Sequence, residues 1–337
     1  MSNKQTRRRF LTVASLAGAA GITRIPEMQA KEGPLETTTV RIVKNQGICL
    51  APQYVADQLL RAEGFNDVRY VDQGASLDLS SKVGHGDADF TLDFAARTIQ
   101  TIDSGNPIMV LAGVHIGCYE LFAKPDIRRV SDLKGKTLGM DIGGLNPQAF
   151  LIAMAAHVGL DPHADIHWVI RTDPSVKPLQ LFMDGKIDAF FATPPEPQLL
   201  HERGLKNVIF NSILDKPWSE YFCCVLVGSR QYVRQYPVAT KRVLRAILKA
   251  SDLCANQPAR VARQLVDEHF TDRYDFALQA MQDIPYDKWR EYDPEDTIRY
   301  YALRLYEAQV VRSTPQKIIA ENTDWRFLKE LKEELKT

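Results

Sequence analysis

Polar residues able to hold a small solute recur at one kind of place in this 337-residue chain, the turn after an apolar, strand-like run. In open α/β sheets ligands bind where strands end and helices begin, so these turns carry the first functional reading. Asn45-Gln46-Gly47 follows the run at 40–43; Asn45 and Gln46 donate and accept hydrogen bonds, and Gly47 permits close backbone approach. An ordinary turn is the plain alternative. Asp93-Phe94 closes the run at 88–92. Asp93 suits an amine or caps the helix starting at Ala95, and Phe94 suits stacking or packing. His115, after the run at 108–114, reads as a ligand contact or a hydrogen-bonded structural group. The sharpest candidate is Asp141-Ile142-Gly143-Gly144-Leu145-Asn146-Pro147. Gly143, Gly144 and Leu145 open a helix, presenting free N–H groups and a positive helix end to a carboxylate or sulfonate. Asp141 would oppose an anion if it faced the site. Arg171 could pair bidentately with an acid group or form a surface salt bridge. Thr193 and Glu196 flank two prolines after the run at 187–192, and Glu196 either touches ligand or caps the following helix.

Covalent chemistry is poorly supported. Gly-x-Ser-x-Gly, His-Glu-x-x-His and Cys-x-x-Cys are all missing, as is the Gly-Lys-Ser/Thr ending of a phosphate-binding loop. His157, His163 and His167 span a helix end, a turn and a strand, which does not suit a metal cluster. Cys223 and Cys224 are neighbours on an expected strand, so alternation should point them to opposite faces. No metal and no cofactor is expected.

The elements that must position these turns alternate. Strands are expected at 40–43, 68–71, 88–92 and 108–114, with helices at 52–61, 76–83 and 95–103 between them. The pattern restarts with strands at 137–140, 166–170, 187–192 and 207–210, and helices at 147–158, 176–183 and 197–203. Asn146 is the expected N-cap of the helix at 147–158, and Gly159 its end. This indicates α/β domains with mainly parallel sheets. Gly86-Asp87-Ala88-Asp89 and Gly185-Lys186-Ile187-Asp188 stand at the same helix-to-strand joint, 99 residues apart, which supports two similar halves. A strand at 223–227 and helices at 237–255 and 258–269 follow. Asp293 caps a further helix beginning at Pro294, and Trp325, Leu328, Leu331 and Leu335 form a docking stripe on the last one.

The charges, 42 basic and 42 acidic, sum to zero and argue against a nucleic-acid binder. They are unevenly spread. Residues 1–30 carry five basic groups and one acid, leaving a remainder of net −4. Thr6-Arg7-Arg8-Arg9-Phe10-Leu11, a weakly apolar stretch to Ile22 and Ala30 resemble a twin-arginine signal peptide over 1–30. The expected location is therefore the periplasm, by export through the twin-arginine route.

Taken in order, Cys49-Leu50-Ala51-Pro52, Gly86-Asp87-Ala88-Asp89-Phe90, Asp132-Leu133-Lys134-Gly135-Lys136, Gly185-Lys186-Ile187-Asp188-Ala189 and Asp324-Trp325-Arg326-Phe327-Leu328 resemble the nitrate/sulfonate/taurine-type solute-binding proteins of ABC importers. The resemblance implies a type II periplasmic binding protein fold of two lobes with two hinge crossovers, near Gly117–Glu120 and Tyr221–Cys224. Lobe one would span 40–116 and 222–337, and lobe two 119–219. Tyr221 would then be an aromatic cleft wall or hinge packing, and Cys118 would stand near Cys223 or Cys224, allowing a bridge to either. The implied protein is a monomer that binds a small, anionic organic solute and delivers it to ABC permease and ATPase subunits, performing no chemistry. The alternatives are an enzyme on the same fold, akin to the thiamine-pyrimidine synthase or to enzymes of menaquinone precursors, and a sensor subunit.

Overall fold

The computed structural model describes residues 32–44, 47–73, 78–140, 148–170 and 177–336. The chain divides into Met1–Pro34 and Leu35–Thr337, and the fold below concerns the second unit. The expected export segment lies outside the described residues. Among the described residues ten strands alternate with helices: β1 (Thr39–Lys44), β2 (Asp67–Asp72), β3 (Phe90–Phe94), β4 (Ile108–Ile116), β5 (Glu120–Ala123), β6 (Lys136–Met140), β7 (Ile166–Ile170), β8 (Ala189–Ala192), β9 (Val208–Asn211) and β10 (Phe222–Ser229). They form two five-stranded sheets, ordered β2-β1-β3-β10-β4 and β7-β6-β8-β5-β9.

The sheets are mixed rather than mainly parallel. β1, β2 and β3 run parallel, as do β6, β7 and β8, but β10 is antiparallel to β3 and β4, and β5 to β8 and β9. The exceptions have one cause. β5 and β10 are the strands by which the chain enters the second sheet and returns to the first, and each is inserted against the local direction. Their apolar runs resemble those of parallel strands because both kinds are buried on two faces. In β10, seven of eight residues are buried.

The repeated Gly-x-x-Asp joint has the same geometry in both sheets. The Asp89 N–H donates to the Arg41 carbonyl of β1 at 2.8 Å, and its carboxylate accepts from the Arg41 N–H at 2.8 Å. The Asp188 N–H donates to the Thr137 carbonyl of β6 at 2.9 Å, and its carboxylate accepts from the Thr137 N–H at 2.9 Å. Each aspartate thus clamps its strand to a parallel neighbour. Burial works against the charge of Asp188, but the Thr137 N–H and the Lys124 ammonium outweigh it and hold the carboxyl below its usual range. A depressed folded-state value means stability that is present above about pH 3.9, the unfolded value, and lost as pH falls through the folded one. Asp188→Asn is expected to cost about 1–2 kcal/mol at pH 7. Thermal melts of both proteins should converge as pH falls below the unfolded value through the folded one, and a gap that stays constant would contradict the clamp.

Close packing holds the crossovers together. The Ser212 hydroxyl accepts from the backbone N–H groups of Cys118 at 3.1 Å and Tyr119 at 2.8 Å. Gly117, at φ +60°, leaves no room for a side chain: a Cβ there would stand 2.3 Å from Ile213. Buried Gln53 staples two strands, donating to the Val43 carbonyl of β1 and accepting from the Leu92 N–H of β3. At the far edge of the first sheet, Thr323 bridges Val110 of β4 and the Asp324 N–H donates to the Val110 carbonyl, so the tail covers an open strand. Asp293 caps the helix Pro294–Glu307 as expected, and Leu328 and Leu331 are buried in the last helix, Arg326–Glu334.

Candidate functional site

The two sheets meet on one aromatic ring. Tyr119, in the outgoing crossover, packs against Phe94 at the end of β3 (5.4 Å between centroids), Phe191 of β8 (4.7 Å) and Phe150 of the helix Gln148–His157 (4.8 Å). Strand ends from opposite sheets are thereby brought to a shared floor, at which Phe94 is half-buried. In open α/β folds the junction of strand ends is where a small solute binds.

Behind Phe94 stands a buried ion pair. The Asp93 carboxylate accepts from Arg97 Nε at 2.9 Å, and Arg97 Nη2 also donates to it. It further accepts from the Ser80 N–H at 3.0 Å, the Ser80 hydroxyl at 2.6 Å and the Phe94 N–H at 2.8 Å. The Asp93 side chain is 0% exposed and that of Arg97 6%. Asp93 therefore does not cap the helix Ala95–Asp103, whose N-cap is Phe94 without a side-chain bond. Its oxygens are spent on five donors, while the Arg97 guanidinium lies 4.8 Å from the Phe94 ring centroid and orients that ring. Arg97 was not anticipated from the sequence, where only its spacing of four from Asp93 on a helix start signalled it.

The other expected contacts fall into three groups. Gln46, Gly143, Gly144, Leu145 and Arg171, with Asn45, Asp141 and Asn146, lie outside the described residues. Gly47 is half-buried, and its carbonyl accepts from the Leu50 N–H at the start of a short turn of helix. Glu196 begins the helix Glu196–Glu202 rather than capping it: its carboxylate folds back to accept from the Thr193 N–H at 2.8 Å, fixing the loop after β8. Tyr221 is not brought to Tyr119. It stacks on Tyr300 at 4.2 Å and lines a surface cavity with Glu220, Asp293 and Asp296, where carboxylates would repel an anion.

His115 is fully buried, at the centre of a cluster absent from the local reading of the sequence. It shares one group with Cys49 and Cys224 and a second with Cys118 and Cys223, the ligand-type atoms of each group lying within 4.8 Å of one another. All the cysteines are free thiols, and the Cys118 and Cys223 sulfurs are 3.2 Å apart. Cys223 and Cys224 do not point to opposite faces as simple alternation requires. Phe222 pairs with Ile116 and Cys224 with His115, so β10 spends two residues against one on β4, and this bulge turns both thiols toward the cluster. Thiols of Cys118 and Cys224, then His115, hold the Cys49 thiol well below its usual value against the effect of burial. His157, His163 and His167 form no such group among the described residues: His157 packs edge-on against Trp218, and the His163 N–H donates to Asp161.

Comparison with known proteins gives both a family and a fold. The family model described as NMT1/THI5 like matches residues 28–261. Among solved structures, the periplasmic nitrate-binding protein NrtA from Synechocystis PCC 6803 superposes with a TM-score of 0.72 at 14% identity, covering 90% of each chain. A protein from Bordetella bronchiseptica RB50 does so at 0.70 and 19% identity, over 90% of this chain and 100% of the other. The alkanesulfonate-binding protein SsuA from Xanthomonas axonopodis pv. citri, bound to MOPS, gives 0.65 and 16% identity, over 83% and 96%. No curated protein matches the sequence. At these identities the superpositions establish the fold, a two-sheet periplasmic binding protein architecture.

Proposed function

The chain belongs to the NMT1/THI5-like family, and from that premise we propose that it is the solute-binding component of an ABC importer, taking a small anionic organic solute. The observation that carries this reading is the meeting of two sheets, joined by two crossovers, on the Tyr119 floor; the same architecture serves the nitrate and alkanesulfonate binders. Lobe one comprises 40–116 and 222–337, and lobe two 119–219, with the solute between them. The Gly143-Gly144-Leu145 loop seats the anionic group on free N–H donors, with Gln46, Gly47, Thr193 and Arg171 as further contacts. Closure of the lobes about the crossovers then presents the loaded form to the permease. The protein performs no chemistry, acts as a monomer and works in the periplasm, after a twin-arginine signal over 1–30 has directed its export.

A ligand that binds only the native state stabilises it, by about 2.7 kcal/mol at a hundredfold excess over Kd. A melting screen of nitrate, bicarbonate, alkanesulfonates, carboxylates and pyrimidines should therefore find one class that raises Tm by several degrees. Substituting Gly143 and Gly144 with alanine should reduce that rise. A flat screen, combined with product formation from a pyrimidine precursor, would replace the transport reading with the enzymatic one.

A further inference from the structure

Four of the five cysteines and one histidine converge where both crossovers meet the first sheet, all of them buried. We propose that this cluster is a binding site for one thiophilic divalent cation of the zinc class, ligated by Cys49, Cys224 and His115, with Cys118 as the fourth donor. The site is separate from the solute reading above and does not depend on it.

Spacing is the first argument. Two sulfurs bound to one zinc ion at about 2.3 Å each stand no more than about 4.6 Å apart. The donor atoms of Cys49, His115 and Cys224 already lie within 4.8 Å of one another, and Cys118 as near to His115, so seating a tetrahedral ion, whose sulfurs stand about 3.8 Å apart, needs shifts of about an ångström or less. The imidazole is the second. His115 Nδ1 faces only carbonyls, those of Gly117 at 3.0 Å and Ile116 at 3.3 Å, and so it carries the proton. Nε2 is then the nitrogen turned to the cluster, fully buried and without a hydrogen bond of ordinary geometry. An imidazole whose other nitrogen donates to the backbone is in the tautomer and orientation that metal ligation uses.

The backbone supplies the third argument. Cys118 holds φ +142° directly after Gly117 at +60°, and β10 bulges at Cys223 and Cys224. Two departures from regular geometry, one in the outgoing crossover and one on β10, both deliver sulfur to one cluster. The protons balance as well: binding releases those of the Cys49, Cys118 and Cys224 thiols to solvent, and three thiolates bring a divalent ion to net −1. No carboxylate joins the cluster among the described residues to add further buried charge. Above it, the Tyr286 ring lies 5.3 Å from the imidazole and its hydroxyl donates to the Cys49 carbonyl, excluding water.

The test uses the full-length chain, fully reduced, titrated with Co2+ both when folded and during refolding from denaturant. One Co2+ per chain is expected, with thiolate-to-cobalt charge-transfer absorption and the intense visible bands of a tetrahedral ion, bleached one for one by Zn2+. Cys49→Ser and Cys224→Ser should each weaken binding about tenfold or more, whereas Cys254→Ser, a buried thiol outside the cluster, should leave it unchanged. On the unaltered protein, Zn2+ should slow alkylation of the cluster thiols under mild denaturation, a readout that does not depend on any variant folding. Absence of the cobalt bands by both loading routes, their survival in Cys49→Ser/Cys224→Ser, or alkylation indifferent to Zn2+ would each overturn the site.

Discussion

Replacing Arg97 with methionine is expected to destabilise the protein by about 3–5 kcal/mol, the usual cost of removing one partner from a buried ion pair. Its partner, the Asp93 carboxylate, is 0% exposed and cannot turn to water. Ser80 and the Phe94 N–H would still donate to it, which sets the expectation toward the lower end. The pair is not itself a large source of stability, because both charges were desolvated to make it. Arg97→Met combined with Asp93→Asn should therefore lose less than Arg97→Met alone. Urea unfolding at constant m-value reads the difference directly. A single variant within about 1 kcal/mol of the native protein would mean that water reaches Asp93. The Phe94 ring also loses its cationic neighbour, so any solute that touches that ring should bind more weakly even at temperatures where the variant stays folded.

Gly113→Ala should be costly for a different reason. β4 and β10 approach so closely that a Cβ on Gly113 would lie 2.1 Å from the Phe222 ring, against a rigid aromatic edge rather than a flexible chain end. Overpacking typically costs about 1–3 kcal/mol, and this contact belongs at the top of that range. Phe222→Ala alone should lose about 3–5 kcal/mol through the cavity it leaves. Combining the two should cost clearly less than their sum, because removing the ring makes room for the methyl group. Strict additivity would show that Gly113 is required for some other reason. The same seam carries the β10 bulge, so a shift of Phe222 would also disturb Cys223 and Cys224.

Much of the architecture was legible because its signals are local. Alternating apolar runs and helical stripes marked the strands and helices to within a few residues, and Pro294 after Asp293 marked a helix start that the structure contains. The repeated Gly-x-x-Asp was readable as a joint, although its purpose, an aspartate clamping a parallel neighbour in each sheet, needed the pairing partners. Strand direction was misread. An apolar run looks alike in a parallel strand and in an antiparallel strand buried on both faces, so β10 could not be told apart from its neighbours, and β5, only four residues long, was not read as a strand. Asp93 was misread because a carboxylate before a helix suggests a cap, and nothing local reveals an arginine one turn later that is buried with it.

The sequence alone determined the class of fold, the positions of the loops at strand ends and the lack of familiar catalytic motifs, since each depends on residues close together in the chain. Only the tertiary structure decided which of those residues meet. The Tyr119 floor joins rings from a crossover, two sheets and a helix, and the thiol cluster joins Cys49, His115, Cys118, Cys223 and Cys224 from segments that include sulfurs 105 residues apart. The physical reason is that a strand's period of two predicts opposite faces for neighbours, while one extra residue in a bulge reverses that prediction. Bulges are set by the pairing of distant strands, and no window of sequence around Cys223 contains that information.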